Sequence, residues 1–233
     1  MMITAMNLRT IGAKTIIKWT LWTVFFICLI VFLVRVLTFE NAYYSEKEGS
    51  ERAVITESAS SEELIEEKPS EQEVQEYTVS GDRPRYLTIE KLGVSNARVL
   101  PMGVNTKGEL DTPRNIFDVG WYEGSGKPGQ GGTIIIDGHN GGPHIHGVFK
   151  ELPSLVAGDI ILVERGDGKK FKYSVVENNT VELSEADSYM TKAAKSPEKG
   201  KESITLISCT GEWSAKQGTY LSRQFTRAVL LES

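Results

Sequence analysis

The chain has 233 residues, with 31 acidic side chains against 26 Lys and Arg and a formal net charge of −5. That length holds one ordinary domain with appendages, or at most two small domains. Neither the charge balance nor any interleaving of aromatic with basic residues suggests a nucleic-acid partner. The charge is spread unevenly. Residues 1–39 carry Arg9, Lys14, Lys18 and Arg35 with no acid, and residues 40–76 carry twelve glutamates against Lys47, Arg52 and Lys68. Residues 77–233 are left formally neutral.

From Ile16 to Leu37 the chain reads IIKWTLWTVFFICLIVFLVRVL, free of charge from Trp19 to Val34. Flanking apolar residues bring this core to the roughly 20 a bilayer requires, and Lys18 and Arg35 can snorkel to the interfaces. The run passes into Arg35 and Val36 without the small-residue site of a cleaved signal peptide. It is expected to be a retained single-pass anchor over 16–38, with residues 1–15 in the cytoplasm and the rest of the chain outside the cell. Cys28 falls within it, which leaves Cys209 a single thiol in the outer part. Residues 39–76, rich in Glu and Ser, have too little apolar surface to repay chain ordering. They are expected to form a disordered acidic stalk, with a transient helix around SSEELIEEK, residues 60–68.

The folded domain is expected over 77–233. RYLTIEKL (85–92), ARVLPMG (97–103) and TIIIDG (133–138) are short, apolar or alternating, and bounded by Gly, Pro and Asn, as strands are. Residues 159–177 form a hairpin pattern turned by Gly166-Asp167-Gly168. SITLISC and YLSRQFTRAVLL supply two more strands, while HGVFKELPSL and SEADSYMTKAA predict short helices, the second capped by Ser184. Many short strands with few helices indicate a mainly β barrel or sandwich.

All three histidines lie in GHNGGPHIHG, residues 138–147, and His139 ends a strand. Cys209 ends the strand ITLISC, with Thr210 and Gly211 leading into a loop. A nucleophilic cysteine works as the thiolate and gains from a nearby base or cation. Arg223 and Arg227 fall on one face of the last strand by its period of two. A guanidinium beside a Cys and a His can stabilise an oxyanion developing during acyl transfer.

GHN, then TLISC about seventy residues later, then an arginine fourteen residues beyond the cysteine, resembles the sortase family of cysteine transpeptidases. VGWYEGSGKPGQGGTIIIDGHN and FKELPSLVAGDIILV resemble the segments before and after the family histidine. The chain most resembles the sortases grouped as classes E and F. The resemblance implies an eight-stranded sortase-type β-barrel with short helices, in which Cys209 is the nucleophile, His139 the catalytic histidine and Arg223 the catalytic arginine, with no cofactor. It implies cleavage of a Leu-Pro-x-Thr-Gly-like C-terminal sorting signal on secreted proteins through a Cys209 thioacyl intermediate. The acyl group would pass to a cell-wall precursor or pilin amine. Ser208 departs from the family's usual threonine but keeps a hydroxyl. Arg227 stands where the family usually has an apolar residue and is assigned no role. Asp137 replaces a more usual small residue and is expected to orient or charge His139.

Two other readings fit parts of the sequence. His139, His144 and His146 could ligate zinc with Glu151 as a base, but their spacings of five and two match no helical metal motif. A non-catalytic extracellular binding module would suit an anchored domain, yet it gives no reason for His, Cys and Arg to occur in this order.

Overall fold

The alternation in PRYLTI becomes β1 (Pro84–Ile89), whose inward side chains Leu87 and Ile89 are buried in the core, while Tyr86 is buried on the opposite face. The structure, a computed structural model, describes residues 63–106 and 108–231. The anchor expected at 16–38, Cys28, and residues 39–62 of the expected stalk lie outside the described residues. Among the described residues no helix is long and apolar enough to cross a membrane.

β1 pairs antiparallel with β2 (Val94–Met102), which runs parallel to β3 (Val119–Tyr122). β3 turns back antiparallel to β4 (Thr133–Gly138). The hairpin expected after residue 159 is β5 (Ile160–Arg165) and β6 (Lys170–Glu182), with Gly168 at φ 83° in its turn. β7 (Ser203–Ser214) lies parallel to β4, and β8 (Thr219–Leu230) pairs with both β7 and β6. The order β1-β2-β3-β4-β7-β8-β6-β5 closes into an eight-stranded barrel, the outcome expected from the many short strands.

Closure explains the unbroken apolar runs of β4 and β7. Ile134, Ile136, Ile204 and Leu206 point into the barrel with Leu87, Val119 and Trp121, whereas Ile135 and Ile207 point outward into a second cluster with Phe225 and Ala193. Both faces of these two strands are covered, so neither can alternate with polar residues. The outer cover is α2 (Leu183–Ala193), laid over β6 and β8.

Three local expectations are corrected. α2 starts at Leu183 with Glu182 at its N-cap and no capping side chain, so Ser184 sits inside the first turn rather than before it. HGVFKELPSL yields only the 3₁₀ turn Leu152–Ser154, since Pro153 has no N–H to extend it. Residues 63–76 of the acidic stretch are ordered, within one compact unit Glu62–Ser233. Its described residues 63–68 hold no helix, and the helix present is α1 (Glu71–Glu76), begun by a capping box in which Ser70 and Glu73 satisfy each other's backbone amides. Long-range bonds hold this segment: Tyr86 Oη donates to the Val74 carbonyl, Arg85 Nη2 to the Gln75 carbonyl at 3.2 Å, and Ile65 bridges to Asn115. A low apolar content argued for disorder, but partners far away in sequence supply the missing free energy.

Candidate active site

The expectation that Cys209 ends a strand is corrected: β7 runs on to Ser214, so Cys209 and Arg223 lie inside the β7–β8 ladder while His139 directly follows β4, and all three are carried on the outer face of the barrel. Cys209 on β7 is the direct cross-strand partner of Arg223 on β8. On the other side of β7, Asp137 of β4 pairs with Ile207. The parallel register therefore carries His139, two residues on, level with Cys209. Side chains two apart share a face, so Asp137, His139 and Cys209 are presented on one surface. Gly211 lies just beyond, at φ 82°, where β7 holds one residue more than β8 between Thr210 and Trp213. This glycine-containing bulge turns the strand away directly after the cysteine, and a Cβ at 211 would stand 2.9 Å from Ser222 Oγ.

Each candidate is held by its surroundings. His139 Nε2 lies 2.7 Å from the Pro113 carbonyl. A carbonyl oxygen only accepts, so Nε2 carries the proton and Nδ1 is the nitrogen left for chemistry. The His139 carbonyl accepts from Phe149 N at 2.9 Å. Gly147 passes so close that a Cβ there would stand 2.5 Å from that oxygen. Ser208, whose hydroxyl the sequence retains, donates it at 2.9 Å to the Gly138 carbonyl, tying β7 to the residue before His139. Arg223 donates from Nη1 to the carbonyls of Tyr220 and Ser222 at 2.9 and 3.1 Å, and from Nη2 to Thr219 Oγ1 at 3.2 Å. Its Nε–H and second Nη2–H take no part in these bonds.

The electrostatics place both titrating groups in their neutral forms near neutral pH. Burial pushes the Cys209 thiol up; the Arg223 charge pulls it down and the Asp137 charge pushes it up. Burial draws the His139 imidazole below its ordinary value, against the opposing bond to Pro113.

Asp137 does not bond His139, contrary to expectation. Its carboxylate accepts from Thr112 Oγ1 at 2.6 Å. Gly120, its partner on β3, leaves the room it occupies, since a Cβ there would stand 2.5 Å from Asp137 Oδ1. Burial pushes this carboxyl up to about 7. Its negative charge, present only as pH rises through that value, is the smallest of the three influences on the Cys209 thiol.

The remaining candidates separate from this group. Arg227 shares the face of Arg223 but is buried beneath α2, where it donates to Glu177 Oε2 at 2.6 Å and to the carbonyls of Lys192 and Lys195 at 3.1 and 2.6 Å. It satisfies the end of a helix. His144 is exposed and bonded to Glu66, and His146 is exposed in a bridge to Gly141. Among the described residues no group of three or more His, Cys, Asp or Glu is arranged to hold a metal ion. Sequence reasoning missed Thr112 and Pro113, which hold the site from a loop with no motif of its own, and Glu66, which lies in the acidic stretch.

Comparison with known proteins agrees with this architecture. The matching family is described as Sortase domain, over residues 87–230, well over half of the chain. No curated protein matches. Among solved structures the chain is similar to a Clostridium perfringens Sortase D5 transpeptidase, at 22% identity over 71% of this chain and 91% of that one, with a TM-score of 0.45. It is also similar to sortase C-1 from Actinomyces oris, at 22% identity over 66% and 76% with a TM-score of 0.46. A third is sortase A from Corynebacterium diphtheriae, at 23% identity over 65% and 63% with a TM-score of 0.44. With a sortase domain running from β1 to β8, the chain belongs to the sortase family of cysteine transpeptidases.

Proposed function

We propose that Cys209, His139 and Arg223 carry the transpeptidation, and that the donor is a Leu-Pro-x-Thr-Gly-like C-terminal sorting signal on a secreted protein. One observation carries this reading: Cys209 and Arg223 are cross-strand partners, and His139 follows the strand paired to the other side of β7. The Cys209 Sγ attacks the Thr carbonyl carbon, and a C–S bond forms as the carbonyl oxygen gains negative charge. Arg223 stabilises that charge with guanidinium N–H groups. The C–N bond then breaks, and His139 Nδ1 delivers a proton to the departing glycine amine. An acceptor amine of a cell-wall precursor or pilin attacks the thioacyl carbon, giving its proton to Nδ1, and the thiolate departs. The neutral pair must exchange a proton before the first step, so the reactive thiolate–imidazolium form is a minor population. Its fraction is level between the two ionisations and falls on either side, which gives a bell-shaped dependence of kcat/KM on pH.

The class E and F assignment and the membrane setting belong to the same proposal. They rest on the residues around GHN and TLISC and on the apolar run 16–38. A tethered enzyme on the outer face would meet secreted substrates and wall precursors at one surface.

The test uses the full chain with a Leu-Pro-x-Thr-Gly peptide library and a small amine, read by mass spectrometry. The expected result is peptide joined to the amine and a hydroxylamine-sensitive adduct on Cys209, both lost in Cys209→Ala. A folded protein with an intact thiol that forms no adduct across the library would overturn the donor assignment. Turnover by Cys209→Ala would overturn the nucleophile.

A further inference from the structure

We infer that Glu66 is a positioning residue for His139, acting from an N-terminal strap that clamps both structures flanking the imidazole. This rests on the reading of His139 as the catalytic histidine. Two supports fix that ring. One is the Pro113 carbonyl, which accepts the Nε2 proton. The other is the loop 139–147, folded back on itself by the Gly141–His146 bridge and by Gly147 N donating to the Asn140 carbonyl at 2.8 Å.

The strap touches both supports. Ile65 N donates to the Arg114 carbonyl at 3.0 Å and Ile116 N donates to the Ile65 carbonyl at 3.1 Å, so residue 65 forms a parallel bridge to the segment that follows Pro113. Asn115 Nδ2 donates to the Glu67 carbonyl at 2.9 Å. Between these two residues, Glu66 turns its carboxylate the other way, onto the histidine loop. Oε1 accepts from His144 N at 2.8 Å and Ile145 N at 3.4 Å, and Oε2 meets His144 Nδ1 at 2.8 Å. Gly142 leaves the space for it, since a Cβ there would stand 2.2 Å from Glu66 Oε1. These bonds draw the Glu66 carboxyl below its ordinary value, the His144 amide being the largest cause.

The contact is local and polar. Beside it opens a cleft of about 710 Å³ lined by Ile65, Glu67, Arg98, Thr112 and Pro113, so the strap meets the Pro113 segment along its backbone and not through a packed core. A carboxylate accepting from two consecutive amides fixes the loop's path through charge-assisted bonds, and a misplacement of about 1 Å in a catalytic group costs on the order of 10²-fold in rate. The acidic stretch that precedes the barrel thus contributes a residue to the order of the site.

The experiment compares the full chain with Glu66→Ala, Glu66→Gln and His139→Ala. Transpeptidation kinetics are combined with imidazole ¹⁵N resonances, the chain having only three histidines to assign. Glu66→Ala is expected to lower kcat about tenfold with KM for the peptide within about twofold, and to shift or broaden the His139 signals. Glu66→Gln is expected to restore most of kcat, because its amide oxygen still accepts from both backbone amides. The inference is overturned if Glu66→Ala keeps wild-type kcat, or if its loss of rate follows a lowered Tm while the His139 resonances stay unchanged. Retained turnover in His139→Ala would instead sink the catalytic reading itself, whatever Glu66 does.

Discussion

At Cys209 three influences compete, burial the largest of them. Desolvation raises the thiol, Arg223 across the strand lowers it, and Asp137 raises it. Arg223→Ala is expected to slow kcat by about 10²–10³, or roughly 2.7–4 kcal/mol, the loss seen when one oxyanion donor is removed. It should also move alkylation of Cys209 to higher pH; peptide turnover and iodoacetamide labelling followed on the Cys209 peptide check the two effects. Asp137→Asn is expected to move that alkylation to lower pH, because it removes a negative charge while leaving an oxygen for the Thr112 hydroxyl. The same variant tests a linkage. Below about pH 4 Asp137 is protonated in both folded and unfolded chains. Between there and its folded value of about 7, the folded chain holds a proton that the unfolded chain has released, so stability falls as pH rises through that window. Asp137→Asn should flatten that slope, read from urea midpoints across the range. His139, Cys209 and Arg223 could be singled out as candidates by residue type and apolar patterning, although Cys209 and Arg223 lie inside β7 and β8 rather than at their ends. Pro113 and the Gly138 carbonyl were not, because they act through backbone groups that every residue possesses.

At the scale of elements, the period of two put Arg223 and Arg227 on one face of β8, and the register agrees. Their fates differ because α2 covers only one of them. Arg227 is 2% exposed and gathers Glu177 and two carbonyls at the end of α2, while Thr205 Oγ1 takes the Ala193 carbonyl at 2.8 Å. Arg227→Met is expected to cost roughly 1–3 kcal/mol, since it leaves the Lys195 carbonyl unpaired under the helix end while Glu177 keeps Lys192 Nζ and the Lys192 carbonyl keeps Lys195 N. Arg227→Lys should recover little of it, one ammonium being unable to span all three positions. Urea unfolding measures both. β3 was not read as a strand from the sequence: VGWY is four residues long and holds a glycine. Its place is set by parallel pairing with β2 and antiparallel pairing with β4.

For the molecule as a whole, the boundary expected at Tyr77 cuts through a supported structure. Tyr86 Oη donates to the Val74 carbonyl, Arg85 Nη2 to the Gln75 carbonyl at 3.2 Å, and residues 65–67 pair with 114–116. A chain beginning at Tyr77 is expected to be less stable than one beginning at Glu62 by on the order of 2 kcal/mol, several net hydrogen bonds offset by the entropy of ordering the segment. Comparing the urea midpoints of the two chains measures the difference; equal midpoints would show that the segment adds nothing to the fold.

The sequence by itself determined the β class, the hairpin at 166–168 and the resemblance to the family, and it singled out Cys209, His139 and Arg223 as candidates. These follow from local periodicity and residue chemistry, which neighbouring residues are enough to express. Only the tertiary structure decided the pairing of Cys209 with Arg223, the separation of Arg227 from Arg223, the proton on His139 Nε2 and the hold of Glu66 on the histidine loop. Each of these joins residues distant in sequence, or depends on a backbone carbonyl or amide whose position no side-chain pattern records.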